Sequence, residues 1–179
     1  MRDIGAEGRP CYAGPVSGLD YRHAIYAGSF DPITLGHTAI IHRALRLYDK
    51  VTVAIGVNPK KGGLFSQEER LALIMASLPA EVRVVAFKGL LVEFARSIGA
   101  GVLVRGLRLL ADLEHEFQLA WANRDVAPDI ETMFLMTEPN HVYVSSSLIK
   151  EIAMNGGDTS RYVPPAVHRA LNEKYAAKP

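Results

Sequence analysis

Ala24-Ile25-Tyr26-Ala27-Gly28-Ser29-Phe30-Asp31-Pro32-Ile33-Thr34-Leu35-Gly36-His37 reads as a short apolar strand, a turn and the entrance of a helix. Gly28, Asp31 and Pro32 are turn formers. Beyond His37, Ile40, Ile41, Ala44, Leu45 and Leu47 recur at the spacing of one buried helical face. Thr34 or a neighbour can cap that helix. A parallel strand feeding a helix start presents free N–H groups and the positive end of the dipole where a phosphate can sit. Ser29 and His37 stand at that mouth, and the glycines leave room for a ligand to touch backbone.

The same alternation continues outward. Residues 51–57, 82–87, 102–104 and 131–136 read as further strands, mostly continuous apolar runs of the kind buried on both faces. Between them lie helical patterns. Ser66 and Glu69 form a capping box for a helix whose apolar face is Leu71, Ile74, Met75 and Leu78. Residues 90–97 make a short helix ended by Gly99. Residues 111–125 make a longer one, stopped by Pro128, with Leu113, Phe117, Ala120 and Trp121 as its expected buried side. Ser145, Ser146 and Ser147 open a helix closed by Gly156 and Gly157, and Pro164 and Pro165 introduce the last, over residues 166–175. Strands alternating with helices predict an α/β fold, a doubly wound five-stranded parallel sheet. In such sheets ligands bind beyond the carboxyl ends of the strands, near the switch in strand order. Ser29, Lys61, Gly89, Arg105, Arg108 and the three serines should therefore share one rim.

Composition bounds the rest. The length of 179 residues fits one domain, and 49% hydrophobic with 22% charged residues is an ordinary globular balance. Residues 1–22, rich in Gly and Pro, read as a flexible extension, leaving 23–179 as a single domain. A formal net charge of +1 gives no general attraction for nucleic acid. No apolar run approaches membrane-spanning length, and no signal-peptide core is present at the start. One cysteine, Cys11, allows no internal disulfide framework and no zinc spacing, so a cytoplasmic setting is expected.

The polar residues at the strand ends point to anion chemistry. Arg105 and Arg108 offer two planar forks suited to phosphate oxygens. Lys60 and Lys61 lie in a Gly- and Pro-rich loop, and Glu116 lies on a helix bordering the rim. The serine triplet combines hydroxyls with a helix start. No P-loop, no spaced metal-ligand set and no nucleophile elbow is present. His42, His141 and His168 have no partner recognisable in sequence.

Four motifs in order, GSFDPITLGH, NPKK with FSQEER, VRGLR with ADLEHEFQ, and VSSSLIKE, resemble the phosphopantetheine adenylyltransferase family of the nucleotidyltransferase superfamily. The likeness spans residues 23–175, and Thr34 in the TLGH stretch favours that family over relatives carrying His there. His115 stands where many relatives carry Tyr.

The resemblance implies a Rossmann-like nucleotidyltransferase fold and transfer of the adenylyl group of ATP to 4′-phosphopantetheine, giving dephospho-coenzyme A and pyrophosphate. His37, Lys61 and Arg108 would be catalytic. Ser29, Lys61, Leu91 and Arg105 would hold the acceptor, with Leu90 and Leu91 offering apolar surface to its arm. Ser29, Phe30, His37, Gly106, Leu107, Arg108, Glu116, His141, Val142, Tyr143, Val144, Ser145, Ser146 and Ser147 would hold ATP. Mg²⁺ is expected on the ATP phosphates, not in a protein cage. A homohexamer, and coenzyme A as a feedback ligand at the same site, are further implications. The alternatives are an adenylyltransferase for nicotinamide mononucleotide, a non-catalytic ATP sensor, and a fragment of an aminoacyl-tRNA synthetase. The last is disfavoured by the short chain and the absence of KMSKS.

Overall fold

Side-chain alternation along the first strand sets the layers of the molecule. In the computed structural model, which describes residues 18–57 and 62–176, β1 (Asp20–Gly28) sends Ala24 and Tyr26 to one face and Ile25 and Ala27 to the other. All four are buried, so β1 is covered on both sides. It leads into α1 (Leu35–Leu47), β2 (Lys50–Gly56), α2 (Gln67–Met75), β3 (Arg83–Phe87) and α3 (Leu91–Ser97). The chain then returns to the far side of β1 as β4 (Ala100–Leu107), α4 (Leu110–Val126) and β5 (Glu131–Met136), succeeded by α5 (Ser146–Met154) and α6 (Pro165–Ala176).

The five strands form one parallel sheet, as the sequence pattern predicts, and their order is β3-β2-β1-β4-β5. The order reverses between β1 and β4, so the cleft of a doubly wound sheet belongs beyond their carboxyl ends. On one face Ile40, Ile41 and Ala44 of α1 pack with Ile74 of α2, Ile149 of α5 and Val167 and Leu171 of α6. On the other, Val92 and Ala95 of α3 join Ile25, Ala54, Leu103 and Ile130. Each Val, Leu or Ile side chain taken fully from water contributes about 1.5–3 kcal/mol.

The helix starts are capped as their sequences dictate. Thr34 caps α1, Ser66 caps α2 in a box with Glu69, and the Ser145 hydroxyl accepts the Leu148 N–H at the start of α5.

Several expectations need correction. β1 starts at Asp20, inside the segment assigned to the extension, because this central strand has a neighbour on each side and the Asp20 N–H bonds the Gly99 carbonyl at 2.8 Å. Residues 1–17, with Cys11, lie outside the described residues. β4 runs on through Arg105, Gly106 and Leu107, which pair with Phe134, Leu135 and Met136 of β5. Met75 is 57% exposed at the end of α2. On α4, Phe117 and Trp121 are 43% and 71% exposed. That helix lies at the margin of the sheet beside β5, an edge strand, and although Phe117 meets Phe134 edge-on at 5.3 Å, no further element among the described residues covers the pair. His168, whose partners the sequence does not reveal, meets the Thr159 hydroxyl at 2.9 Å and the Asn172 amide at 3.2 Å.

Candidate functional site

The cleft at the switch point is walled by the turn after β1, the start of α1, the end of β4 with the first half of α4, and the lead-in to α5. Ser29, Phe30, His37, Arg105, Gly106, Arg108, Glu116, Val144, Ser145 and Ser146 line it. These residues come from three of the four separated motifs, the one holding the lysine loop and FSQEER being absent, and topology brings them together.

His37 is the best-defined group. The Thr34 backbone N–H donates to His37 Nδ1 at 3.0 Å, with the Thr34 hydroxyl also 3.0 Å from that nitrogen. A backbone N–H has only a proton to give, so Nδ1 is the acceptor and the ring proton belongs on Nε2. In return the Thr34 hydroxyl accepts the His37 N–H at 3.4 Å, closing a capping box in which histidine takes the part usually played by Glu or Gln. Burial, reinforced by the Arg108 charge, pushes the His37 pKa down to about 4. The imidazole is thus neutral around pH 7 and carries its N–H on Nε2. The ring is braced edge-on by Phe30 at 5.2 Å and, more loosely, by Tyr26 at 6.4 Å. Phe30 itself holds φ at +44°, a left-handed conformation kept by its packing in the core.

The first turn of α1 contributes differently from the sequence expectation. The Leu35 N–H donates to the Tyr162 carbonyl at 2.9 Å and that of His37 to Thr34. α1 therefore offers the cleft its dipole and His37, not a row of unengaged N–H groups.

Both arginines are fixed as forks. Arg105 donates to Glu116 through Nε at 2.6 Å and Nη2 at 2.8 Å, while its Nη1 reaches the Ala27 carbonyl at 3.2 Å. Arg108 donates to Asp112 at 3.0 and 3.2 Å and to the Val144 carbonyl at 3.1 Å. Each guanidinium keeps unused donors while a carboxylate and a carbonyl hold its plane, which preorganises it for phosphate oxygens. Ser146 donates its hydroxyl to the Pro32 carbonyl at 2.8 Å, tying the start of α5 to the turn after β1. Gly106 has a steric reason for its identity: a Cβ there would stand 3.3 Å from both Ile40 Cγ1 and the Tyr26 hydroxyl.

Other expected site residues stand elsewhere. Lys61 lies outside the described residues. Leu91 starts α3 and packs on the second core cluster, while Leu90 is 53% exposed. Leu107 is buried in β4, and His141, Val142, Tyr143 and Ser147 do not line the cleft. Tyr143 instead meets Tyr162 edge-on at 6.1 Å. Sequence reading missed Tyr26, Asp112 and Thr137, all of which line the cleft. Asp112 could have been found, because Arg108 and Asp112 are four apart across a helix start. Thr137 comes just after the carboxyl end of β5, where the switch-point rule places ligand contacts.

Comparison with known proteins agrees with this geometry. A family model described as cytidylyltransferase-like matches residues 25–152. The phosphopantetheine adenylyltransferase of Geotalea daltonii is 49% identical over 154 residues, 85% of this chain and 96% of that one. That of Heliobacterium modesticaldum is 47% identical over 154 residues, 85% of this chain and 92% of its own. Among solved structures, a bifunctional NMN adenylyltransferase/ADP ribose pyrophosphatase of Francisella tularensis, complexed with AMP and a manganese ion, superposes with a TM-score of 0.65 at 16% identity. The match covers 89% of this chain and 50% of that larger one, and it speaks to the fold alone.

Proposed function

Because the chain belongs to the phosphopantetheine adenylyltransferase family, we propose that its cleft joins ATP to 4′-phosphopantetheine, releasing pyrophosphate and forming dephospho-coenzyme A. The acceptor phosphate oxygen attacks the α-phosphorus of ATP in line, and the bond to the departing pyrophosphate breaks. Such a transfer asks the protein for positioning and charge neutralisation, with no covalent intermediate.

The observation that carries this reading is the neutral, Nε2-protonated His37 held at the cleft between two braced arginine forks. His37 donates to an α-phosphate oxygen as negative charge builds on it. Ser29 orients acceptor and nucleotide. Arg105, with Lys61 from the loop after β2, holds the acceptor phosphate, and Leu91 borders its arm. Arg108 neutralises ATP phosphate and, with Phe30, Gly106, Glu116, Val144, Ser145 and Ser146, forms the nucleotide side. Mg²⁺ carried on the ATP phosphates would supply further neutralisation of their charge. The donor set fits that arrangement, since the carboxylates lining the cleft, Glu116 and Asp112, are each engaged by an arginine fork.

Assembly, regulation and compartment complete the proposal. The enzyme assembles as a homohexamer, for which the exposed Phe117 and Trp121 on α4 supply apolar surface of the sort that subunits bury. Coenzyme A binds the same cleft as a feedback ligand. The working compartment is the cytoplasm; among the described residues no helix is long and apolar enough to cross a membrane.

Pyrophosphate release from ATP and Mg²⁺ is the test, with 4′-phosphopantetheine as acceptor and nicotinamide mononucleotide as control. Release with the first alone is expected. Release with the mononucleotide alone would keep the His37 chemistry and overturn the acceptor.

A further inference from the structure

Tyr26 brings to the cleft a hydroxyl that the residues around it do not use. It stands in the central strand, paired with Val53 of β2 on one side and Val104 of β4 on the other, so its backbone is held from both edges. Its ring packs in the core, edge-on to Phe30 at 5.5 Å and tilted to His37 at 6.4 Å, and only 7% of the residue is exposed. A buried tyrosine ordinarily gives its O–H to a protein acceptor. Fully enclosed side-chain nitrogens and oxygens among the described residues are all partnered. The Tyr26 hydroxyl makes no hydrogen bond with any of those residues, and Tyr26 lines the cleft, so the O–H is aimed into it. Gly106, which lies between Arg105 and Arg108 in the chain, leaves the hydroxyl room, since a Cβ there would stand 3.3 Å from that oxygen.

We propose that Tyr26 is a further catalytic residue, its O–H donating to a non-bridging oxygen of the ATP α-phosphate beside His37. The neighbours select that target. The ring stands next to the imidazole, and the charges of both arginine forks are felt at the phenol, which puts it where donor and acceptor phosphates meet. As the acceptor oxygen bonds to the α-phosphorus and the bond to pyrophosphate breaks, negative charge is spread over the non-bridging oxygens. His37 and Tyr26 then act as two uncharged donors to that charge, and the phenolic proton stays on Tyr26 throughout. Burial, outweighing the opposing pull of the Arg105 and Arg108 charges, raises the pKa of the phenol above its ordinary value and keeps the O–H intact around neutral pH. The inference rests on the proposed adenylyl transfer and not on which acceptor is used.

Tyr26→Phe tests it by removing one oxygen while keeping the ring against Phe30 and His37. No hydrogen bond among the described residues is broken, so the variant should melt within about 2 °C of the wild type. A hydrogen bond to a charged group corresponds to a change on the order of tenfold or more, and kcat/KM for ATP should fall by about that factor. The second readout compares ATP with the two diastereomers that carry sulfur in place of one non-bridging α-oxygen. Sulfur accepts a hydrogen bond poorly. The wild type should therefore disfavour sulfur at the oxygen that Tyr26 touches, and Tyr26→Phe should lose part of that preference for one diastereomer and not for the other. Loosened packing would slow all three nucleotides alike. An unchanged kcat/KM for ATP overturns the proposal, as does a fall that leaves both sulfur preferences as they were or shifts the two equally. If the wild-type chain releases no pyrophosphate with either 4′-phosphopantetheine or nicotinamide mononucleotide, the reading of adenylyl transfer fails and the contact falls with it. If the wild type turns over and the variant behaves like it, only the role of Tyr26 is lost.

Discussion

His37 serves two ends at once, and substitution can separate them. Its Nδ1 accepts the Thr34 N–H at 3.0 Å as part of the helix cap, while Nε2 carries the proton offered to the α-phosphate. Asn can place Oδ1 near the position of Nδ1 and keep the cap, but its amide is too short to reach where Nε2 stood. Ala loses both functions. A cap interaction contributes about 1 kcal/mol, which in a domain of this size is about 2–4 °C in Tm. Removing one preorganised donor to a transition-state oxyanion costs about 2.7–4 kcal/mol, or about 10² to 10³ in kcat. His37→Asn should therefore melt near the wild type and lose about 10² to 10³ in kcat. His37→Ala should show the same loss of kcat together with the lower Tm. In both, KM should change far less than kcat, because the contact strengthens as charge develops. The assays are continuous pyrophosphate release and a thermal melt on the same preparations. A His37→Asn enzyme that keeps kcat within about threefold would refute the donor role, and one that melts with the Ala variant would refute the division of labour between the two nitrogens.

The same geometry carries other expectations. The folded-state pKa values of His37, at about 4, and of His23, lowered by burial, both lie below the ordinary histidine value. The unfolded chain thus binds more protons as pH falls below about 6.5, so the stability they contribute is complete above that value and drains away toward pH 4. Urea midpoints at pH 7.5 and 5.0 should show the loss, and His37→Asn should show less of it. Asp112→Asn removes half of the fork holding Arg108 and should raise KM for ATP several-fold with acceptor KM unchanged, an effect readable in initial rates. Gly106→Val adds two methyls beyond a Cβ already 3.3 Å from Ile40 and Tyr26 and should destabilise by about 1–3 kcal/mol in denaturant titrations. Trp121→Glu should shift the sedimentation coefficient toward smaller species if the exposed side of α4 is a subunit contact, and leave it unchanged if not.

Where local chemistry decides the outcome, the sequence was readable. Ser66 with Glu69 announces a capping box, and continuous apolar runs announce buried parallel strands; both are present in the structure. The cleft was legible from topology, since residues after strand ends gather wherever strand order reverses. Long-range pairing was not readable. Arg105, Gly106 and Leu107 read as lying just past the end of the fourth strand because no local pattern reveals that β5 lies alongside them. Phe117 and Trp121 read as core because periodicity reports apolar residues without reporting whether anything covers them. Nor does spacing betray that Arg105 meets Glu116 or that Asp31 meets Phe65, contacts that exist only after the sheet has formed.

The reversal of strand order at β1 has a consequence for how such a molecule could be altered. In the proposed reaction the nucleotide is held largely by the segments after β4 and β5, while the acceptor draws on Ser29 after β1, Lys61 after β2, Leu91 at the start of α3 and Arg105 of β4. The central strand and His37 sit between the two halves and belong to the reaction itself. A change in the arm of the acceptor could then be written around Leu91, on the β3 flank of the sheet, while Arg105 and the machinery for ATP on the other flank kept their sequence and shape. The two flanks are joined through the Asp31 carboxylate, which touches both the entrance of α2 and Lys150 of α5. Any redesign of one side would have to keep that joint intact.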